Sequence, residues 1–468
     1  MLKVIKELKF ISKGTLIQLF SVLVCTLGAI SDGMQYGWSS PMIPILRSNS
    51  TPFNVTQQDE FLLEQLYLIG GVTCLPLTIL LINMVGRKGS LVCATCVSLL
   101  CWILIALPER IECIFIARFL AGFAGDVNFV AAPMYIAEVA QKHIRGVLSC
   151  ILLIMLHIGL LIIYISAPLI PIYASCLIGI VISVLQLGIL ICIPESPYYL
   201  LIKGKTAQAE RNLRILRSSP VKQEIEEMLT AVEKNNVVKG KVLDLFLVKS
   251  NRKALLIVIM LHAAQNFSGI SVMIMNIHLI LGASKLTYLT PMSIGIIFAS
   301  IMLFTSCMSG FFIDKFGRRT LLIISSLLAG TSVACLAVYL TLQNYGEVFD
   351  ISWIPITAVM IYALAFRLGL GIVPAVMSAE LFPLNVKALG MSLVDVVYMI
   401  FALLSIQIYK ILSENVGMDV PFYIYASCSF LSAVIAFIWL PETKGLSLEE
   451  IQFMLRGEIS SSDVVSKS

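Results

Sequence analysis

Apolar residues run through this chain in long stretches, without the alternation of half-buried strands or the one-faced spacing of soluble amphipathic helices. A helix that crosses a bilayer needs about 20 mostly apolar residues. Twelve stretches meet that length: 15–37, 62–82, 89–107, 113–136, 146–167, 172–193, 254–280, 291–313, 320–341, 353–378, 388–411 and 421–440. Most connections between them are short. The sizeable exception is 197–253, where Glu210, Arg211, Arg214, Arg217, Glu224, Glu226, Glu227, Glu233 and Lys234 alternate with Leu and Ile at helical spacing. That pattern predicts two to four short amphipathic helices under the bundle, broken at Ser218-Ser219-Pro220, with their charges on a solvated face.

Composition agrees. The chain has 468 residues, 58% hydrophobic and 13% charged, with a mean hydropathy of +0.93. A soluble domain carries about 25% charge, so this is an all-α, polytopic membrane protein and the bilayer is its first partner. The net charge of +5 is dispersed over short loops and points to no nucleic acid. Lys3, Lys6, Lys9 and Lys13 precede a run long enough to span and followed by further spans, which reads as a first transmembrane helix, not a cleaved leader. The twelve cysteines fall mostly in apolar segments, Cys93 and Cys96 included, and no metal site is expected. No nucleophile triad or phosphate loop occurs in a plausible context, so neither an enzyme nor a cofactor is expected.

The loops sort by charge. One set holds the N-terminal lysines, Arg87-Lys88, Lys142-His143-Arg145, the 197–253 segment, Lys315-Arg318-Arg319, Lys387 and Lys444; the other holds Asp59, Glu60, Glu109, Glu112, Glu347 and Asp350. Basic loops stay cytoplasmic, which puts both termini inside and implies a multi-pass plasma-membrane protein. Asn49-Ser50-Thr51 and Asn54-Val55-Thr56 then lie outside as glycosylation acceptors at Asn49 and Asn54. Asn266-Phe267-Ser268 has the same pattern but sits within a span.

A short motif occurs twice, half a chain apart. Asn83-Met84-Val85-Gly86-Arg87-Lys88 is echoed by Asp314-Lys315-Phe316-Gly317-Arg318-Arg319. Glu138, seven residues before Arg145, matches Glu380, seven before Lys387, and Pro194-Glu195-Ser196-Pro197 matches Pro441-Glu442-Thr443-Lys444-Gly445. Three echoes in one order, each at a membrane boundary, argue for two halves built alike, the plan of secondary transporters. The expected segments are an N-terminal half (1–196), a cytoplasmic linker (197–253), a C-terminal half (254–445) and a tail (446–468).

These motifs resemble the sugar porter family of the major facilitator superfamily over essentially the whole chain, and within it the insect facilitated trehalose or glucose transporters. They join Gly33-Met34, Gly37-Trp38-Ser39-Ser40-Pro41, Arg118, Gly122, Pro133, Tyr135, Gly146, Gln265, Ser268-Gly269 and Glu380-Leu381-Phe382-Pro383 in the family's order. Tyr198-Tyr199 and Asn385-Val386-Lys387 are variants of the insect kind. The resemblance implies two six-helix bundles that rock around a central site. It also implies a conformational latch of ion pairs between the bundles at their cytoplasmic ends, carried here by Arg87, Glu138, Arg145, Glu195, Asp314, Arg318, Glu380, Lys387 and Glu442. Asn83 stands where the family has Asp, which should weaken the first copy.

The family's solute shell is altered. The span 7 pattern Gln-Gln-x-Ser-Gly-x-Asn reads Gln265-Asn266-Phe267-Ser268-Gly269-Ile270-Ser271, followed by Met275-Asn276. Leu153 replaces a glutamine in span 5. The span 10 hinge reads Gly371-Ile372-Val373-Pro374-Ala375 without its tryptophan, and Tyr398-Met399 replaces Asn-Trp in span 11. Gln265, Asn266, Ser271, Asn276, His157, His262, Gln35 and Tyr398 are the candidate solute contacts, since sugar hydroxyls need groups that donate and accept. Asp32, Asp126, Arg367 and Asp395 lie inside spans, where an unpaired charge costs about 2.5–3.5 kcal/mol. They should face the bundle interior or pair, Arg367 with Asp395. Proton-coupled relatives carry an Asp two residues after the glycine at Gly33; Gln35 stands there and cannot cycle a proton. The expected activity is facilitative transport of a sugar such as glucose or trehalose, with no obligate protein partner. A proton-coupled symporter and a solute-sensing, transport-inactive paralogue stay open.

Overall fold

A computed structural model describes residues 13–47, 55–108, 110–141, 144–217, 221–237, 243–284, 289–346, 353–383, 386–446 and 448–456. Among them all regular structure is helical. In chain order the helices are α1 (Lys13–Gly37), α2 (Ser39–Arg47), α3 (Gln57–Ala106), α4 (Ile111–Val139), α5 (Arg145–Leu169), α6 (Ile172–Leu190), α7 (Pro197–Ile202), α8 (Thr206–Leu216), α9 (Lys222–Val237) and α10 (Asp244–Leu247). They continue with α11 (Lys249–Asn266), α12 (Ile270–Ala283), α13 (Pro291–Phe316), α14 (Arg318–Tyr345), α15 (Trp353–Leu368), α16 (Val373–Leu381), α17 (Lys387–Asn415), α18 (Val420–Trp439) and α19 (Leu448–Arg456).

Every predicted span falls on helix. Predicted spans 2 and 3 share the 50-residue α3, which turns at Gly86 (φ 94°, ψ −178°). Polar residues set several helix starts. Thr56 and Asp59 cap α3 reciprocally: Thr56 N donates to Asp59 Oδ2 (2.9 Å) and Asp59 N to Thr56 Oγ1 (3.3 Å). That cap starts α3 five residues before the predicted span. Ser196 accepts from Tyr199 N ahead of Pro197 in α7, and Thr290 accepts from Ser293 N ahead of Pro291 in α13. Spans 7 and 10 are each broken in two. Gly269, φ +89°, separates α11 from α12, and a Cβ there would stand 2.9 Å from the Tyr425 ring. Gly369 to Ile372 separate α15 from α16, with Gly371 N donating to Phe366 O.

The chain forms two compact units: residues 1–35, 73–159 and 172–239, and residues 36–72, 160–171 and 240–468. The dividing points fall inside α1, α3 and α5, so one end of each of these helices belongs to the second unit. In the first unit, Ala131, Ala132, Tyr135 and Ile136 of α4 pack with Val22 and Ala29 of α1, Leu152 of α5 and Leu190 of α6. Small residues on α4 let backbones approach where lipid supplies no hydrophobic drive. The linker helices pack by their apolar faces, Leu200, Leu201, Ala209 and Val232 in one cluster and Leu213, Val221 and Ile225 in another. Arg217 departs from the predicted solvated face. It is 7% exposed and donates to Val139 O and to Glu224, because it joins α8 and α9 to the end of α4.

In the second unit α14 packs on α15 and α18, α13 on α15, α11 on α17, and α2 on α12. The expected tail contains α19, which lies against α11 and α16 and donates from Gln452 Nε2 to Leu381 O (2.8 Å).

Candidate functional site

The two motif copies fold alike. In the first unit Arg87 Nε and NH2 donate to Glu138 Oε1 (3.0 and 2.7 Å), while Ser196 Oγ donates to Glu138 Oε2. Glu195 Oε1 accepts from the backbone of Lys88 (3.1 Å) and of Ser196 (2.8 Å). In the second unit Arg318 NH2 donates to Glu380 Oε1 (2.8 Å), and Thr443 Oγ1 to Glu380 Oε2 (2.6 Å). Glu442 accepts from the backbone of Arg318 and Arg319, each at 3.0 Å. The turns at Gly86 and Gly317 (φ +94° and +85°) bring the N–H groups of the residues that follow them onto these carboxylates, and a Cβ on either glycine would stand 2.6 Å from a carboxylate oxygen.

These pairs run within each unit, not between bundles as the resemblance implies. In each copy one glutamate is held by an arginine and a neighbouring hydroxyl, and the other by backbone N–H groups at the glycine turn. Asn83 is exposed, and the Arg87–Glu138 pair forms with asparagine at that position. Arg145 donates to Ala140 O at 3.4 Å, and Lys387 is half-buried. The Asp314 side chain lies outside the described residues, as do Asn49 and Asn54.

Near the helix breaks of the second unit lies a run of polar aromatic contacts. Tyr36 OH stands 3.0 Å from Ser271 Oγ and faces the Tyr398 hydroxyl, and its ring lies 5.8 Å from that of Tyr67. Tyr398 meets the His262 ring edge-on at 5.6 Å. His262 Nδ1 is 3.1 Å from Gln265 Oε1, and its Nε2 is 3.4 Å from Ser378 Oγ. Helix α1, the broken pairs α11/α12 and α15/α16, and α17 thus bring together hydroxyl, amide and imidazole groups beside aromatic faces. A breached helix exposes backbone only where it lines a cavity or is enclosed by protein. Such a set can donate to and accept from a polyhydroxylated solute.

Of the predicted solute residues, His262, Gln265, Ser271 and Tyr398 join this run. Asn266 does not: it is fully buried and donates to His262 O of its own helix. Asn276 stands elsewhere in the unit, donating to Glu64 Oε2 at 3.1 Å. In the first unit His157 is buried, with Nδ1 2.6 Å from Leu153 O, one turn earlier. Gln35 is buried there too, and Arg118 donates to its carbonyl and to its Oε1 (3.3 Å).

The intramembrane charges use mostly neutral partners. Asn128 Nδ2 donates to Asp32 Oδ2 (3.0 Å) and Thr78 Oγ1 to Asp126 Oδ2 (2.5 Å). Arg367, 5% exposed, donates to Ser306 Oγ (2.8 Å) and to Gly371 O (3.3 Å) at the span 10 break. Asp395 is exposed on α17 and, like Arg367, lies within electrostatic reach of the buried Tyr398.

Sequence reasoning missed Tyr36, Glu64 and His278. Tyr36 follows Gln35 and turns toward the second unit while Gln35 stays in the first. Glu64 and His278 are titratable residues inside predicted spans, and the rule that flagged Asp32 would have flagged both. Glu64 is 3% exposed; His278 is 5% exposed with Nδ1 2.7 Å from Ser40 Oγ.

Residues 21–455 match the family described as "Sugar (and other) transporter". The chain is 25% identical over 465 residues to the facilitated trehalose transporter Tret1 of Apis mellifera ligustica, covering 97% of this chain and 91% of that protein. It is 26% identical to Tret1 of Culex quinquefasciatus (96% and 88% covered) and 26% identical to sugar transporter ERD6-like 6 of Arabidopsis thaliana (93% and 90%). Among solved structures it resembles the proton:xylose symporter XylE bound to 6-bromo-6-deoxy-D-glucose, with a TM-score of 0.76, 23% identity and 94% and 100% of the two chains covered. The inward-open xylose transporter XylE from E. coli gives a TM-score of 0.76 at 22% identity, covering 93% and 99%. At that identity the likeness establishes the major facilitator fold.

Proposed function

Since the chain belongs to the sugar (and other) transporter family, and so is a multi-pass membrane transporter and no enzyme, we propose that it carries a hexose or disaccharide such as glucose or trehalose by facilitated diffusion. The observation that carries this reading is the run Tyr36–Ser271/Tyr398–His262–Gln265 at the breaks of spans 7 and 10. It supplies donors, acceptors and aromatic faces in place of the glutamines and tryptophan that the family pattern leads one to expect. Curated relatives named for trehalose support the solute class.

Two halves, 1–196 and 254–445, joined by the 197–253 linker, rock about this site in the plasma membrane, with the motif ends and both termini cytoplasmic. The pairs Arg87–Glu138 and Arg318–Glu380 brace each half at that face so that it moves as a body. Uncoupled transport is favoured by Gln35: Arg118 is held by an amide and a backbone carbonyl, neither of which titrates.

One observation favours proton coupling instead. Asp32 and Asp126 are buried carboxylates in the first unit with a side-chain amide and a hydroxyl as donors. Tracer uptake of glucose and trehalose in cells expressing the chain, at acidic and at neutral external pH, decides between them. Facilitation expects saturable uptake of at least one sugar, indifferent to pH and kept in Asp32→Asn. Uptake driven by a proton gradient and lost in that variant would replace facilitation by symport. No uptake of either sugar with the protein at the surface would remove the sugar reading.

A further inference from the structure

At the end of the second unit away from the Gly317 turn, the start of α3 and the last turns of α17 run side by side, with residue numbers rising on one helix as they fall on the other. Gln57 Nε2 donates to Glu414 Oε1 (3.0 Å). Lys410 Nζ stands 3.8 Å from the centre of the Phe61 ring. Gln65 Nε2 donates to Gln407 Oε1 (2.6 Å). Positions 57, 61 and 65 are one turn apart on a single face of α3, and 407, 410 and 414 share a face of α17. The contacts are therefore the rungs of one antiparallel ladder. Beside it is a cavity of about 320 Å³ lined in part by Arg47, Glu60, Glu64, Asn276 and Tyr409. Within it Arg47 donates to both oxygens of Glu60, and Asn276 to Glu64.

Each rung joins α3, from the N-terminal part of the chain, to α17, from the C-terminal part. The rungs are built mostly of groups that water can hydrate when parted: three amides, a carboxylate and an ammonium, with the Phe61 ring the one apolar member. An apolar seam at the same place would expose hydrocarbon on opening and resist release. A polar seam next to a cavity with charged and amide groups in its lining can exchange one set of partners for another, as a contact with two discrete arrangements requires. The Tyr36–Ser271 contact belongs to the same unit, so α1, α3, α12 and α17 close around the solute residues together.

We propose that the α3–α17 ladder is the releasable external gate of this transporter, its rungs parting when the site opens to that side. Gln57, Phe61, Gln65, Gln407, Lys410 and Glu414 are positioning residues that act on access without touching solute. The proposal rests on the alternating-access reading above, and its test is read without sugar flux.

The test uses the full chain in cells, with Ser271→Cys as a reporter behind the gate and Gln65→Cys/Gln407→Cys as a lock. A membrane-impermeant maleimide is added outside, and modification at position 271 is read by mass spectrometry, which separates it from the native cysteines. Labelling of Cys at 271 is expected before oxidation. It should fall by an order of magnitude or more once the 65–407 disulfide forms and return after reduction, with neither single cysteine at 65 or 407 having that effect. Unchanged labelling with the disulfide formed overturns the gate, as does failure of the two cysteines to cross-link. Tracer uptake in cells expressing the unsubstituted chain keeps the two readings apart: gated labelling of the cysteine variant with no glucose or trehalose flux through the unsubstituted chain would sustain the gate and remove the sugar.

Discussion

The two copies of the glycine–arginine motif differ in sequence more than in geometry. Asn83 stands opposite Asp314, Ser196 opposite Thr443, and Tyr199 supports Arg87 from 5.2 Å where the second copy places Lys444 on the Lys315 carbonyl. Both nevertheless bind one glutamate to an arginine and a hydroxyl, and the other to backbone N–H groups beside a glycine of positive φ. The interiors diverge. Spans 7 and 10 of the C-terminal part are broken at Gly269 and Gly371, while α4, in the N-terminal part, runs 29 residues with Pro133 inside it. Duplication has kept the geometry of the motif turns and let the interior helices diverge. The bracing needs only a fixed local geometry, whereas a solute site must be asymmetric to fit an asymmetric ligand.

The largest expected effect breaks both copies at their common point. Gly86→Ala and Gly317→Ala each force a side chain into backbone reserved for glycine, at about 1–3 kcal/mol, and drive a Cβ onto Glu195 or Glu442. Both variants should reach the cell surface in sharply reduced amount, measured by surface biotinylation. If only one did, the copies would not be equivalent.

Next come the arginines. Removing one partner of a buried pair costs about 3–5 kcal/mol, and these pairs, with arginines 6% and 11% exposed, belong at the lower end. Arg87→Ala and Arg318→Ala should each reduce maximal uptake at least several-fold per surface molecule while leaving KM nearly unchanged. Normal uptake in both at normal surface level would make the pairs ordinary loop charges.

The unrepeated interior should respond in the opposite parameter. Tyr36→Phe removes a hydroxyl beside Ser271, and a hydrogen bond is worth about 0.5–1.5 kcal/mol, so KM should rise several-fold at most with surface level intact. An unchanged KM for every transported sugar would take Tyr36 out of the site. The smallest effect belongs to Asn83→Asp, which restores the family residue at an exposed position. Uptake should shift by less than about two-fold, in line with exposed substitutions of under about 0.5 kcal/mol. A large gain would mean that the first copy is weakened after all.

Much of this was legible in the chain itself. Hydrophobic runs of spanning length gave the helices, because a bilayer leaves a backbone little choice but helix, and the repeated Gly-Arg motif at matching boundaries gave the duplication. Which of the candidate solute residues lie together was read less well. His262, Gln265 and Tyr398 were found because polar groups inside spans are conspicuous. Asn266 and Asn276 were grouped with them because they share a span, yet one turns to its own helix and the other meets Glu64. Tyr36 was passed over for its neighbour Gln35.

The amino-acid sequence by itself determined the long apolar helices, their polar linker and the two motif copies, since each follows from local hydrophobicity or from a glycine whose conformation is set by its own residue. Tertiary structure decided which charges pair within a unit, which face of each helix meets polar neighbours, and that the start of α3 lies along the end of α17. Those outcomes depend on helix rotation and on partners hundreds of residues away, which the pattern along one segment does not encode.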